Sequence, residues 1–180
     1  MTIRRVVTAT NSHGKSVVVS DGPSPREQAL QYTPGFISAP LWELEARPEL
    51  GTVPSDPMER ESGLLAAPGG SVFLVLTIPP DAVMASSDFD PAKAGAEHAA
   101  AAPGIAETFE IDEPGMHRTP TLDYVTVVKG SVVVVLDDGM KISLSQGDTI
   151  VQHGARHAWR NPGTEPATLS FVMLGSARDS

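Results

Sequence analysis

Four polar residues recur at every second position between residues 115 and 123. This segment reads G-M-H-R-T-P-T-L-D, and its alternate positions carry His117, Thr119, Thr121 and Asp123. Side chains two positions apart share a face of a β-strand, so these four are predicted to point the same way unless Pro120 breaks the strand. Histidine is the natural proton shuttle near neutral pH, and a carboxylate between apolar neighbours needs a partner or has a raised pKa. This face is therefore suited to acid–base chemistry.

A second polar cluster follows at residues 147–161, with the sequence G-D-T-I-V-Q-H-G-A-R-H-A-W-R-N. Its two glycines are interpreted as turns, and each is followed by a short strand. In the second of these strands, one face carries His157, Trp159 and Asn161. His153 lies beside a glycine and is interpreted as a turn residue, whereas Arg118 and Arg156 have the parity of surface residues.

The elements that carry these clusters are predicted to be strands. Short runs rich in Val, Ile, Thr and Phe recur between Gly, Pro and Asp residues. These runs cover residues 5–10, 16–20, 36–44, 71–78, 107–111, 123–128, 132–136, 141–144, 149–152, 157–160 and 167–174. The clearest hairpin turns at D-D-G, residues 137–139, because Asp-Gly supplies the positive-φ residue that a tight turn needs. Roughly 10–12 short strands separated by turns predict an all-β sandwich or barrel.

Two longer segments break this pattern. Residues 47–68 hold several prolines and charges and are predicted to form a surface loop. The alanine-rich segment 79–103 is predicted to be either a short helix or a mobile loop. We expect a single domain over residues 1–180, in which irregular N-terminal strands and loops (1–104) precede a dense run of strands (105–175). His13 and His98 lie outside both polar clusters and are given no role.

The composition excludes several classes of protein. With 13 Lys and Arg against 22 Asp and Glu, the net charge is −9, which argues against a nucleic-acid partner. The absence of cysteine excludes disulfides and thiolate metal ligands. No apolar run approaches the roughly 20 residues that span a bilayer, and no apolar stretch follows the charged start as in a secretory signal. A soluble, cytoplasmic protein without a membrane partner is therefore expected.

The two polar clusters together resemble the paired motifs of the cupin superfamily. The first family motif is G-x5-H-x-H-x3/4-E-x6-G, and its last four marked positions are taken here by His117, Thr119, Asp123 and Gly130. The second is G-x5-P-x-G-x2-H-x3-N, and the matching residues are Gly147, Gly154, His157 and Asn161. Gln152 replaces the proline, and the gap that precedes it is one residue shorter. The resemblance covers residues 115–174.

This resemblance implies a cupin-like double-stranded β-helix, a jelly-roll barrel, with extra N-terminal strands and long loops. Cupins usually hold a metal ion on three histidines and one glutamate inside the barrel. Carried over to this sequence, the candidate catalytic residues and the candidate metal ligands are the same set, His117, Asp123 and His157. The ion would be Zn, Fe, Mn or Ni, since two imidazoles and a carboxylate hold a divalent ion and leave positions open. The candidate substrate-binding residues are Thr119, Thr121 and Trp159.

The departures from the family pattern leave metal occupancy open. Thr119 stands where a histidine is usual, and a threonine hydroxyl is a poor ligand for these ions. Asp123 is one methylene shorter than glutamate, so its reach to the ion is in question. For Asp123, the roles of metal ligand, general base and structural partner of Thr121 all stay open.

Three functions are compatible with this sequence. The first is a small-molecule enzyme in which a metal ion assists oxygenation, decarboxylation, isomerisation or dehydration of an organic acid or ketide-like substrate. The second is a metal-free dehydratase, cyclase or lyase in which the same residues do acid–base work. The third is a non-catalytic barrel that binds a small ligand. A homodimer is expected, because twofold symmetry is the commonest oligomer, and strands 5–10 and 16–20 could add to the partner's sheet.

Overall fold

The computed structural model describes residues 2–45, 50 and 55–176. Within these ranges lie eleven strands and one α-helix. They are β1 (Arg5–Thr10), β2 (Ser16–Gly22), β3 (Gln28–Ala29), β4 (Ile37–Leu44), β5 (Ser71–Ile78), α1 (Pro91–Ala101), β6 (Thr121–Lys129), β7 (Ser131–Val135), β8 (Lys141–Ser145), β9 (Thr149–His153), β10 (Ala158–Arg160) and β11 (Ala167–Gly175). Short 3-10 helices lie at Pro57–Glu59, Asp81–Val83, Ala106–Thr108 and Asp137–Gly139. The predominance of strands confirms the all-β prediction.

The strand predicted at residues 107–111 is wrong. A 3-10 helix at Ala106–Thr108 takes its place. The hydroxyl and the backbone N–H of Thr108 both donate to the carbonyl of Ile105, over 2.7 and 2.9 Å, and this local bonding competes with strand pairing. From the predicted strand, only Phe109 forms a β-bridge, with His117.

The alanine-rich segment 79–103 was predicted to be either a short helix or a mobile loop, and the structure shows a helix there. Helix α1 begins after Asp90, whose carboxylate accepts the backbone N–H groups of Ala92 and Lys93 over 3.1 Å each. This is an N-cap, and Pro91 at the first helical position strengthens it.

The predicted surface loop 47–68 lies partly outside the described residues, at 47–49 and 51–54.

The predicted hairpin at residues 137–139 is confirmed. Strands β7 and β8 pair antiparallel, with Val132 opposite Leu144. Asp138 and Gly139 take the positive φ values of 57° and 71° that the sequence D-D-G anticipates.

The strands form two main sheets that enclose the core. One sheet has the order β3-β4-β5-β11-β6-β9, and the other has the order β10-β7-β8. Buried apolar side chains from both sheets make one cluster, including Val72, Leu74, Val125, Val127, Val132, Val134, Leu144, Leu169 and Phe171. Strand β11 lies between β5 and β6, so strands from before and after residue 104 share one sheet.

The first two strands form a ribbon of their own. Strands β1 and β2 pair with each other as a two-stranded sheet. Arg5 anchors this ribbon, because its buried guanidinium pairs with Asp56 and donates to the carbonyl of Leu41 over 3.1 Å. Ile3 packs against a small cluster of Ala39, Leu41 and Val75 on the larger sheet. In the described part of the chain, no helix is long and apolar enough to cross a membrane.

Candidate functional site

A largely apolar cavity of about 400 Å³ opens between the two main sheets and helix α1. Its walls come from β5, from β11, from α1 and from the segments that carry the two polar clusters. The lining residues are Thr33, Phe36, Leu74, Leu76, Ile78, Pro79, Met84, Gly95, His98, Ala99, Ile105, Ala106, Phe109, Gly115, His117, Thr119, Asp123, His157, Trp159, Arg160, Phe171 and Met173. Five of the six predicted site residues therefore line one cavity, and the sixth, Thr121, is buried outside this lining.

His117 and His157 lie side by side in this cavity. Their backbones exchange two hydrogen bonds, each with an N···O distance of 2.9 Å, and their ring centroids are 4.3 Å apart. Nδ1 of His117 lies 3.1 Å from the carbonyl oxygen of Gly115, and Nδ1 of His157 lies 2.9 Å from that of Ala155. A carbonyl only accepts, so each Nδ1 carries the proton and each Nε2 keeps its lone pair.

Both imidazoles are held in the neutral form. Burial lowers the pKa of His117 below its ordinary value, because the charged ring would lose its hydration. Burial, followed by repulsion from His117, lowers the pKa of His157 to about 4. At neutral pH the cavity therefore presents two unprotonated ring nitrogens.

Asp123 faces the same cavity, but its pKa is shifted in the opposite direction. Its side chain is buried, and no hydrogen-bond partner for Oδ1 is found among the described residues. Burial raises the pKa of the Asp123 carboxyl, and a hydrogen bond with the Thr121 side chain offsets part of that rise. The hydroxyls of Thr121 and Thr119 are 2.7 Å apart. Thr119, Thr121 and Asp123 thus form a polar row at the start of β6, and Thr119 and Asp123 line the cavity.

Some residues of the second polar cluster line the cavity, whereas others connect the surrounding backbone segments. Trp159 lines the cavity and meets the rings of His157 and Phe171 edge-on, with centroid distances of 5.9 and 5.6 Å. Asn161 instead donates to the carbonyls of Ile78 and Glu165 and so ties β5 to the loop after β10. The roles predicted for the six site residues stay predictions, although their shared location is observed.

Three cavity residues were missed by sequence reasoning. His98 of α1 lines the cavity and contacts the hydroxyl of Thr33 at 3.1 Å. Phe109 stacks on His117, with ring centroids 4.4 Å apart and planes inclined by 20°. Arg160, which precedes Asn161, also lines the cavity. Only Arg160 had a local signal, because it lies within the second polar cluster.

The donors present only partly fit a metal ion. A metal-bound histidine commonly donates its other ring N–H to a carbonyl, as His117 and His157 do. Among the described residues, however, no group of three or more His, Cys, Asp or Glu side chains is arranged to hold a metal ion. The predicted set of His117, Asp123 and His157 shares a cavity without converging on one point.

Residues 106–173 match the family model for the Cupin_2 cupin domain. This part of the chain belongs to the cupin superfamily. The match runs from the 3-10 helix before Phe109 to Met173 within β11, and it contains all six predicted site residues. The cupin fold inferred from the two polar clusters is thereby confirmed. The match does not include α1 or β1–β5, although α1 and β5 supply part of the cavity wall.

This chain resembles several curated fungal proteins over part of its length. It is 42% identical over 63 residues to oryzines biosynthesis cluster protein J of Aspergillus oryzae, covering 34% of this chain and 35% of that protein. It is 48% identical over 60 residues to phomopsin biosynthesis cluster protein C' of Diaporthe leptostromiformis, covering 33% and 32%. It is 39% identical over 62 residues to the cupin-domain-containing oxidoreductase virC of Hypocrea virens, also covering 33% and 32%. The chain thus spans about a third of the length of the curated relatives it matches.

Solved structures of cupin domains give weaker matches. The Cnp3 cupin domain of Schizosaccharomyces pombe aligns over 98% of this chain and 90% of its own, with 10% identity and a TM-score of 0.45. The Cupin_2 domain of an XRE family transcriptional regulator from Enterobacter cloacae aligns over 79% and 99%, with 14% identity and a TM-score of 0.40. At these values the likeness says nothing about function.

Proposed function

We propose that this chain is a small-molecule enzyme of the cupin type that moves protons on a substrate held in the 400 Å³ cavity. One observation carries the proposal. Two neutral imidazoles with Nε2 lone pairs share an apolar cavity with a carboxyl group whose pKa is raised. Groups whose environments push their pKa values in opposite directions provide an acid and a base in one site.

The proposed roles follow from the directions of these pKa shifts. Nε2 of His117 or His157 accepts a proton from an activated carbon or hydroxyl group of the substrate. Asp123, in its protonated form, donates a proton to the oxygen that gains charge or leaves. Thr119 and Trp159 contact the substrate, and Thr121 positions the Asp123 carboxyl through its hydrogen bond. The reactions within reach are isomerisation, dehydration and related eliminations.

The comparisons support a small biosynthetic molecule as substrate. Two of the similar proteins are named for the biosynthesis clusters of oryzines and phomopsin. Each matches only about a third of this chain, so the support concerns the type of site rather than a particular compound.

Deuterium exchange tests the proposal without knowledge of the natural substrate. β-Keto acids and aryl ketones would be incubated with the untagged protein in D₂O containing EDTA, and loss of the acidic C–H signal followed by proton NMR. We expect catalysed exchange that falls about 100-fold or more in His157→Gln and His117→Gln. His153→Gln, which changes an exposed histidine at the end of β9, is the control and should retain the exchange. Exchange that is absent throughout would favour a non-catalytic binding barrel.

A metal-assisted oxidoreductase is the second candidate. Its support is the name of the similar protein virC, together with the Nε2 lone pairs of His117 and His157. Metal analysis of untagged protein distinguishes the two candidates. About one Zn, Fe, Mn or Ni ion per chain, lost in both His117→Ala and His157→Ala, would favour this candidate over metal-free proton transfer.

A further inference from the structure

Arg160 is a half-buried cation in the wall of the apolar cavity. It is the last residue of β10 and pairs with Val133 of β7. Its guanidinium donates to the carbonyls of Pro114 and Trp159. Over residues 2–45, 50 and 55–176, no carboxylate forms an ion pair with it. A guanidinium has five N–H donors, so two backbone carbonyls leave donors to spare.

Arg156, in the same region, is an arginine whose guanidinium is paired with several carboxylates. Its guanidinium pairs with the carboxylates of Glu110, Glu113 and Asp137, at 2.7, 2.7 and 2.8 Å. These three acids account for its position and leave no reason to assign it a ligand. Among the described residues no acid forms an ion pair with Arg160, although the chain as a whole carries a net charge of −9.

Gly115 connects Arg160 to the reactive histidines. A Cβ atom built on Gly115 would overlap Nη1 of Arg160, so the guanidinium lies directly against the glycine backbone. The carbonyl oxygen of the same glycine accepts the Nδ1–H of His117. The cation and the imidazole therefore both contact Gly115, and both line one cavity.

We propose that Arg160 binds a carboxylate of the substrate, so that the cavity takes an amphipathic organic acid. The planar fork of a guanidinium matches a carboxylate in a bidentate pair. The apolar body of the acid would lie against Phe36, Leu76 and Phe171, which line the same cavity. This inference rests on the proposed function, because it assigns the substrate class of that site.

A pair of isosteric probes tests the role of Arg160. Binding of 1-naphthoate and of the neutral 1-naphthamide would be measured by calorimetry on the full-length protein at pH 7.5. We expect the wild type to bind the acid about tenfold or more tightly than the amide, as for a charge-assisted pair. Arg160→Met should remove this preference, mainly by weakening the binding of the acid, and Arg160→Lys should restore part of it. Arg118→Met, at an exposed position, is the matched control and should behave as the wild type.

The possible failures can be separated. Equal affinities for acid and amide in the wild type, or a preference that survives in Arg160→Met, would overturn the carboxylate site. Deuterium exchange catalysed by His117 and His157 would then still support the proposed enzyme. Conversely, a preference lost only in Arg160→Met, with no exchange on any ketone, would uphold the carboxylate site and overturn the proton-transfer function. Circular dichroism of each variant checks that the fold is intact.

Discussion

His117 and His157 are 40 positions apart in sequence, yet their backbones exchange two hydrogen bonds and their rings lie 4.3 Å apart. Each ring donates from Nδ1 to a carbonyl two residues before it, in Gly115 and Ala155. The two Nε2 atoms therefore carry lone pairs together. Because a positive charge on one ring repels a positive charge on the other, protonation of both rings is unfavourable.

Replacing His157 with glutamine should make the free energy of unfolding depend less on pH under acidic conditions. The pKa of His157 is about 4 in the folded protein and 6.5 in its ordinary state, so the unfolded chain binds more protons between these values. The free energy of unfolding is therefore expected to fall as the pH drops from about 6.5 to 4, by about 3 kcal/mol for this group. Urea unfolding at pH 7, 5.5 and 4.5 measures the slope, which should be smaller in His157→Gln. An equal change in the exposed His153→Gln control would contradict this account.

Removing the ring of Phe109 should raise the pKa of His117 toward its ordinary value. Phe109 stacks on the imidazole at 4.4 Å, and burial is the largest cause of the lowered pKa of His117. In Phe109→Ala water reaches the imidazole, which stabilises its charged form. The chemical shift of the His117 ring proton as a function of pH reports the change. Phe73→Ala, which removes a similarly exposed ring from β5, is the control, and an equal rise there would count against the stacking argument.

Alanine at Gly115 and at Gly139 should cost similar stability and differ in ligand binding. Both glycines have positive φ, 87° and 71°, which is strained for alanine by about 1 kcal/mol. At Gly139 the added Cβ meets nothing within 4 Å, whereas at Gly115 it displaces the flexible end of Arg160. Unfolding free energies should therefore drop alike, but only Gly115→Ala should weaken 1-naphthoate binding. Undiminished binding in that variant would argue against the position assigned to the guanidinium.

Loss of the Glu97 carboxylate should loosen helix α1 over the cavity. This carboxylate accepts the backbone N–H groups of Gln31 and Tyr32, each at 2.7 Å, and no other carboxylate in the described ranges is shown to do so. Hydrogen bonds to a charged group contribute about 1.5–3 kcal/mol. In Glu97→Ala, amide hydrogen exchange within α1 should therefore quicken about tenfold or more, while β6 and β11 keep their protection. The exposed Glu61→Ala is the control, and uniform acceleration across the chain would contradict a local anchor.

Alternation along the sequence was enough to predict the polar face of the site. His117, Thr119, Thr121 and Asp123 are all buried, as their even spacing requires, and Arg118 between them is exposed. Most of the strand positions and the hairpin at residues 137–139 were predictable for the same reason, since period-two patterns and Asp-Gly turns depend on nearby residues only.

Contacts between distant segments could not be predicted in this way. The predicted strand at 107–111 is replaced by a 3-10 helix, and Phe109, which follows that helix, stacks on His117. His98 was given no role, yet it faces the cavity and contacts Thr33, 65 positions earlier in the sequence. Nothing in the residues next to His98 encodes that contact.

The sequence by itself determined which residues share a strand face and where the chain turns, because these properties follow from backbone geometry over a few positions. Only the tertiary structure decided that β5 and α1 help to close the cavity behind His157 and Asp123. Desolvation comes from every segment that excludes water. The lowered pKa of His157 and the raised pKa of Asp123 therefore depend on residues far away in the chain.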